Sequence, residues 1–188
     1  MDLADLIAFW NRCSPESPPV GWLLREALRS RWLRVHSLPE SKRYAGTTAE
    51  CDELLRRHNE VASEILGSGV CALAVSAWSD DPNRIDWTEQ IQGALPNLNF
   101  VHAWSWDGDD VPLQTGIARV EWCAGGLDAL IRAVADDRTG PVALFSPATG
   151  EVYAPYDGGA DLIVSTEDRK AQLRKRWQAW LSDRPDGL

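Results

Sequence analysis

Cationic and titratable side chains are concentrated between residues 34 and 44 of the chain. Arg34 and His36 lie two apart in a segment whose alternation predicts a strand, so their side chains share a face. Lys42 and Arg43 follow in a charged loop before a predicted helix, whose N-terminus itself favours anions. This combination predicts a pocket for a phosphate or carboxylate. The alternative is an edge strand whose charges protect it from aggregation.

A second polar segment, Tyr156-Asp-Gly-Gly-Ala160, predicts a tight turn that leads into a strand. Either the turn alone explains it, or Asp157 or Asp161 faces the basic loop. Both segments hold polar residues at strand ends, where sites are often built, so we expect residues 31–44 and 155–161 to meet. The candidate anion-binding residues are therefore Arg34, His36, Lys42, Arg43, Tyr44, Asp157 and Asp161. Arg43, which can pair bidentately, should matter more than Lys42.

The helix after the charged loop is the most strongly patterned element. Thr47 and Glu50 have the spacing of a capping box, Gly67 suits the C-terminus, and apolar residues recur at helical spacing between them. His58 lies on this apolar stripe, which predicts a buried imidazole with a hydrogen-bond partner, since an unpaired one would cost about 1–3 kcal/mol.

The remaining pattern predicts an α+β fold in a single domain, residues 1–188. Adjacent strand-like segments indicate a mixed, largely antiparallel sheet of about five to seven strands with helices packed on it. The apolar run from Val70 to Trp78 predicts a central strand buried on both faces. Phe100, His102, Trp104 and Trp106 alternate, which predicts that they share one face of a strand. Further predicted elements are helices at 2–12, 21–29 and 126–137 and from 165 or 166 onward, and strands at 31–38, 114–122, 141–145, 151–156 and 161–165.

Motifs of the common enzyme classes are absent from the sequence. It has no G-x-S-x-G, H-E-x-x-H, Walker loop or G-x-G-x-x-G motif. The four cysteines are widely spaced without a C-x-x-C pair, which predicts reduced thiols rather than a zinc site or a disulfide framework. We expect no metal and no cofactor, and the pattern leaves open whether the protein is an enzyme.

The chain is acidic, with a net charge of −9 and a sequence pI of about 4.8. This charge disfavours binding to nucleic acid and to anionic membranes. It is compatible with a basic protein partner or with a merely solvated acidic surface. The N-terminus lacks the basic region of a secretory signal, and no apolar run approaches the ~20 residues of a membrane span. We therefore expect a cytoplasmic protein. Ten tryptophans, a residue enriched at interfaces, are the compositional oddity.

Two stretches, His36-Ser-Leu-Pro-Glu-Ser-Lys-Arg-Tyr44 and Pro155-Tyr-Asp-Gly-Gly-Ala-Asp161, resemble a family of small uncharacterised bacterial proteins with a domain of unknown function. The resemblance also takes in Arg57-His-Asn59, Trp180-Leu-Ser182 and Gly187-Leu188. It implies a bacterial, cytoplasmic protein and carries no activity.

Two functions follow as expectations. The first is a non-enzymatic protein-binding module, an adaptor or an immunity-type inhibitor of a basic partner. The alternative is an enzyme or sensor that acts on a small anionic molecule through the basic loop at 34–44. An exposed acidic or aromatic patch with no cleft would favour the first, and a located ligand, or clustering of the candidate residues in one cleft with shifted pKa values, would favour the second.

Overall fold

The computed structural model describes residues 1–14, 17–108, 110–184 and 187. Its seven strands form one antiparallel sheet in the order β1-β7-β6-β5-β2-β4-β3. The strands are β1 (Trp32–His36), β2 (Gly69–Trp78), β3 (Val101–Trp106), β4 (Leu113–Trp122), β5 (Val142–Phe145), β6 (Val152–Tyr156) and β7 (Gly159–Ile163). The α+β class and the antiparallel sheet predicted from the sequence are confirmed.

Helices cover both faces of this sheet. The α-helices are α1 (Leu3–Cys13), α2 (Gly21–Ala27), α3 (Thr48–Leu66), α4 (Trp87–Gln90), α5 (Asp128–Ala135) and α6 (Glu167–Arg176). Short 3-10 turns lie at Arg29–Arg31, Pro39–Ser41, Pro82–Arg84 and Gln178–Trp180. In the parts of the chain that the structure describes, none of these helices has both the length and the apolar character needed to cross a bilayer.

Two hydrophobic cores lie on opposite faces of the sheet. Leu73 and Val75 of β2 point into the larger core, which they share with α3, α4, α5 and α6. Ala72 points into the smaller core under α1 and α2. Since β2 lies between β5 and β4 and both of its faces are buried, the prediction of a central strand is confirmed.

The first strand ends where the sequence indicated. Pro39 has no N–H to donate, and β1 stops at His36, before the 3-10 turn that Pro39 begins. Helix α3 then starts after Thr47, whose hydroxyl accepts from the N–H of Glu50. The chain therefore turns sharply between a sheet edge and a long helix, and the charged loop lies at that turn.

The prediction that Phe100, His102, Trp104 and Trp106 share a face was wrong. The β3–β4 register shifts between His102, which pairs with Gly116, and Trp104, which pairs with Thr115. Neighbouring residues of β4 point to opposite faces, so this β-bulge places His102 and Trp104 on opposite sides. Trp104 and Trp106 therefore lie on the face covered by α1 and α2.

Gly159 is the tightest point between β1 and β7. A Cβ at this position would lie 2.0 Å from the carbonyl oxygen of Val35, a backbone atom that cannot rotate away. Only glycine therefore lets β7 approach β1 at the end of the turn.

We expect Gly159→Ala to lower the free energy of unfolding by at least about 2 kcal/mol, because the new methyl group must separate the two strands. Gly46→Ala is the control, since its Cβ would meet nothing closer than 3.5 Å. Urea titration of both variants measures the difference. Coinciding unfolding curves would show that β1 and β7 do not need this close approach.

Candidate functional site

The two polar segments predicted to meet are joined by the pairing of β1 with β7. Arg34 lies directly opposite Asp161 in this register. The Arg34 Nε and Nη2 groups donate to the two carboxylate oxygens at 2.8 and 2.9 Å, and Trp32 Nε1 donates to Oδ1 at 2.8 Å. The side chains of Arg34 and Asp161 are 13% and 7% exposed, so this is a largely buried bidentate pair.

Aromatic rings enclose the Arg34 guanidinium. Its Cζ lies 4.5 Å from the ring centre of Tyr156 and 5.6 Å from that of Trp32. Burial alone would lower the pKa of Arg34, but the hydrogen bond and charge of Asp161 outweigh it and raise the pKa. Burial also raises the pKa of the Tyr156 hydroxyl to about 12, against the opposing effect of Arg34. Arg34 is thus cationic and Tyr156 protonated at neutral pH.

Three more candidate residues form a second polar cluster at the turn. Asp157 accepts from Arg43 Nη2 at 3.0 Å and from the Tyr44 hydroxyl at 2.9 Å, and Arg43 Nε also contacts it. Lys42 is separate from this cluster, because its Nζ lies 2.5 Å from the carboxylate of Glu50 in α3. The two loop cations are therefore each engaged by a carboxylate of the same chain.

His36 is partly buried at the end of β1. Burial lowers the pKa of its imidazole, the charge of Arg34 lowers it further, and a hydrogen bond with the Gly158 backbone acts in the opposite direction. Its Nε2 is buried and has no hydrogen-bond partner among the described residues. A neutral His36 adds no positive charge near pH 7. That Arg34, His36, Lys42 and Arg43 form an anion pocket stays a prediction.

A cleft of about 350 Å³ brings three of the candidates together. Arg34, Asp157 and Asp161 line it, beside Tyr156. Its other polar and aromatic lining residues, which the sequence did not indicate, are Trp22 and Arg25 of α2 and Asp137 and Thr139 after α5. No local pattern marks these four residues, since the packing of α2 and α5 against the sheet brings them here. His36, Lys42, Arg43 and Tyr44 are not among the lining residues of this cleft that the structure describes.

A tryptophan patch adjoins the cleft. We give this name to Trp22, Trp78 and Trp106 with Val111. The Trp78 ring lies between the other two, with ring centres 6.4 Å apart in each case. Trp78 is 46% exposed and Val111 37%, which is unusual for large apolar side chains. Because Trp22 also lines the cleft, patch and cleft form one continuous surface.

Aspartates border the tryptophan patch. Asp107 and Asp110 line a shallow depression together with Trp78 and Val111, and Asp80 is exposed just after β2. The turn that carries Asp107 runs so close to the Trp106 ring that a Cβ on Gly108 would overlap it. The backbone thus holds acidic side chains at the edge of an aromatic surface.

The imidazole of His58 lies in the larger core, as the apolar stripe predicted. Its Nε2 lies 2.7 Å from the Ser37 hydroxyl and its Nδ1 2.6 Å from that of Tyr153. Burial lowers the pKa of His58 to about 4 and raises that of Tyr153. A neutral imidazole satisfies both contacts, donating through one nitrogen and accepting through the other. The prediction that His58 is buried and hydrogen-bonded is confirmed.

A family model supplies the relationship to other proteins. The model described as a domain of unknown function, DUF3885, matches residues 20–185. The chain belongs to this family. The DUF3885 match includes β1, the charged loop, the cleft and α6. No curated protein and no solved structure matches the chain.

Within residues 1–14, 17–108, 110–184 and 187, no three His, Cys, Asp or Glu side chains are grouped so that they could hold a metal ion. The DUF3885 surface presents ion pairs, hydroxyl groups and aromatic rings.

The Arg34–Asp161 pair should be strongly coupled. Removing either side chain leaves a charge that is poorly solvated, so we expect Arg34→Ala and Asp161→Ala each to cost about 3 kcal/mol of stability. The double variant should cost much less than the sum of the two. A cycle on the exposed pair Arg119–Glu121 is the control and should show a coupling below about 1 kcal/mol. Urea unfolding gives both couplings, and additive costs at Arg34 and Asp161 would contradict the assignment.

His58 should make stability depend on pH between about 6.5 and 4. In this window the unfolded chain protonates His58 and the folded protein does not, so the free energy of unfolding falls as the pH falls. The shift corresponds to a loss of about 3 kcal/mol by pH 4. His58→Leu should flatten the profile, and His102→Gln, on exposed β3, should leave it unchanged. Equal slopes in the wild type and His58→Leu would rule out this role.

Proposed function

We propose that the protein is a non-enzymatic protein-binding module, an adaptor or immunity-type inhibitor that recognises a basic partner. The observation that supports this most is the exposed ring of Trp78, which stacks on Trp22 and packs at a tilt against Trp106. Tryptophan is enriched among the few residues that carry most of the binding energy of an interface, especially when nearby groups exclude water from it. The two neighbouring rings hold Trp78 in place, so little conformational entropy is lost on binding.

The charge around the patch favours a basic partner. Asp80, Asp107 and Asp110 are exposed beside the aromatic rings. With a net charge of −9, the whole chain attracts cations over distances of about 10 Å at moderate salt. Charge complementarity of this kind raises association rates and selects against acidic proteins.

The adjoining cleft fits the same partner. Its charged lining residues are Arg25 and Arg34 against Asp137, Asp157 and Asp161. Asp161 is paired with Arg34 and Asp157 with Arg43, so Asp137 is the lining carboxylate without an ion pair among the described residues. A lysine or arginine side chain that enters next to the patch would meet this carboxylate and the rings of Tyr156 and Trp22, which are groups that bind such cations. We propose that one cationic side chain of the partner occupies this cleft.

The alternative function, an enzyme or sensor for a small anion at the 34–44 loop, has weaker support. The cleft does bring Arg34, Asp157 and Asp161 together. However, the loop cations Lys42 and Arg43 each contact a carboxylate of this chain, so an anion at the loop would have to compete with an existing partner. The ion pairs therefore favour the protein-binding function over the anion-binding one at this loop.

We also propose that the protein acts in the cytoplasm of a bacterium. All four cysteines are free thiols in the structure, and Cys13 and Cys123 are exposed. Free exposed thiols suit a reducing compartment, where disulfides are rare. The bacterial origin rests on the resemblance of the two polar stretches.

A photo-cross-linking amino acid in place of Trp78, expressed in cells of the source organism, tests this function. We expect a discrete adduct with a protein of high pI, and no such adduct when the same amino acid replaces Gln172, an exposed residue of α6. Calorimetry with the purified partner should then show binding at least ~10-fold weaker for Trp78→Ala, because a central aromatic anchor is typically worth about 2 kcal/mol or more.

Charge variants complete this test. Asp107→Asn combined with Asp110→Asn should weaken binding and reduce its dependence on salt. Asp52→Asn combined with Asp168→Asn, an equal loss of charge at exposed positions of α3 and α6 across the sheet, should change neither. Undiminished affinity of the purified partner for Trp78→Ala would refute the proposed surface.

A further inference from the structure

A second cavity, of about 190 Å³, lies at the β1 edge of the sheet, away from the tryptophan patch. It is bounded by the 3-10 turn Arg29–Arg31, by β1, by α6 and by the segment after α6, of which Leu181, Ser182, Arg184 and Gly187 line it. Five of its lining side chains are cations, namely Arg29, Arg34, Lys170, Arg174 and Arg184. No acidic side chain is among the lining residues that the structure describes. We call this the basic cavity.

Backbone contacts fix Lys170 at the wall of the basic cavity. Its Nζ donates to the carbonyl oxygens of Arg29 and Ser30 at 3.1 and 3.0 Å. An ammonium group has three donors, so these contacts leave an N–H for a ligand. Burial lowers the pKa of Lys170, and Arg174 and Arg29 lower it further, against the opposing effect of Glu167. The positive charges in this cavity thus repel one another.

Arg29 and Arg174 of the basic cavity differ from two other arginines of α6. On α6, Arg169 and Arg176 each form ion pairs with Glu64. Arg29 and Arg174 form no ion pair with any residue that the structure describes. Arg29 instead lies 5.8 Å above the ring of Trp32, which holds it over the cavity. Unpaired cations held in a concave site form an anion-binding arrangement.

Arg34 contributes from the inner wall. Its Nε and Nη2 groups are engaged with Asp161, yet the fork of a guanidinium has further N–H groups. The side chain lines the basic cavity as well as the cleft. Asp161 therefore orients Arg34 and need not leave it when an anion arrives.

We propose that the basic cavity binds a phosphate group, either as the free ion or on a small phosphomonoester. A volume of 190 Å³ corresponds to about six waters, which is room for one compact anion and less than the ~300 Å³ of typical drug-sized sites. Donors that converge from three elements suit a tetrahedral dianion better than a planar carboxylate, which a single bidentate arginine satisfies. Among the described residues, Arg34 alone lines both the basic cavity and the cleft, and the cavity shares no lining residue with the tryptophan patch.

Calorimetry and thermal unfolding with inorganic phosphate, ribose 5-phosphate and acetate at constant ionic strength test the proposal. We expect saturable heat and a raised melting temperature with phosphate or the monoester, and neither effect with acetate. Comparing the first two ligands shows whether the free ion or the ester is the better fit. Arg174→Ala should weaken binding at least tenfold, and Arg174→Lys should weaken it less.

Two control variants of equal charge complete the experiment. Lys175→Ala removes an exposed cation of α6 that does not line the basic cavity, and Arg43→Ala removes the loop cation predicted from the sequence. Both should bind phosphate as the wild type does. Equal weakening in Lys175→Ala would indicate a non-specific charge effect, and loss only in Arg43→Ala would place the anion at the loop. Either result, or the absence of heat with phosphate and ester alike, would overturn the proposal.

Discussion

The pairing of Arg34 with Asp161 is the interaction on which the described surfaces depend. It joins the neighbouring strands β1 and β7, and the Trp32 indole donates to the same carboxylate. Arg34 lines the cleft on one side and the basic cavity on the other. The Arg34 guanidinium therefore separates the cleft, whose lining has more acidic than basic groups, from the basic cavity.

Such a pair contributes to specificity more than to net stability. Burying two charges costs hydration free energy that their attraction only partly returns. A slip of β1 by one residue would turn Arg34 toward the larger core and away from Asp161, which would leave each buried charge without its present partner. Because that alternative is so unfavourable, the charges fix the register. Gly159 acts in the same direction, because the position that faces the Val35 carbonyl oxygen so closely must be filled by a residue without a side chain.

The sequence predicted features that depend on local patterns. Pro39 marked the end of β1, the Thr47 cap marked the start of α3, and the stripe of that helix placed His58 in the core. Each of these conclusions used residues within a few turns of one another. The meeting of segments 31–44 and 155–161 was also predicted, because both lie at strand ends in a sheet whose members could be recognised.

Features that depend on distant contacts could not be predicted in this way. The β-bulge beside His102 reverses the faces of the tryptophans on β3, and alternation carries no signal for it. The ion pairs of Lys42 with Glu50 and of Arg43 with Asp157 depend on the conformation of the loop, which the sequence does not indicate. A net charge of −9 likewise describes the far field of the molecule, which salt screens beyond about 10 Å. Within the basic cavity the local arrangement of Arg29, Lys170 and Arg174 determines the potential instead, so an acidic protein can carry a site for an anion.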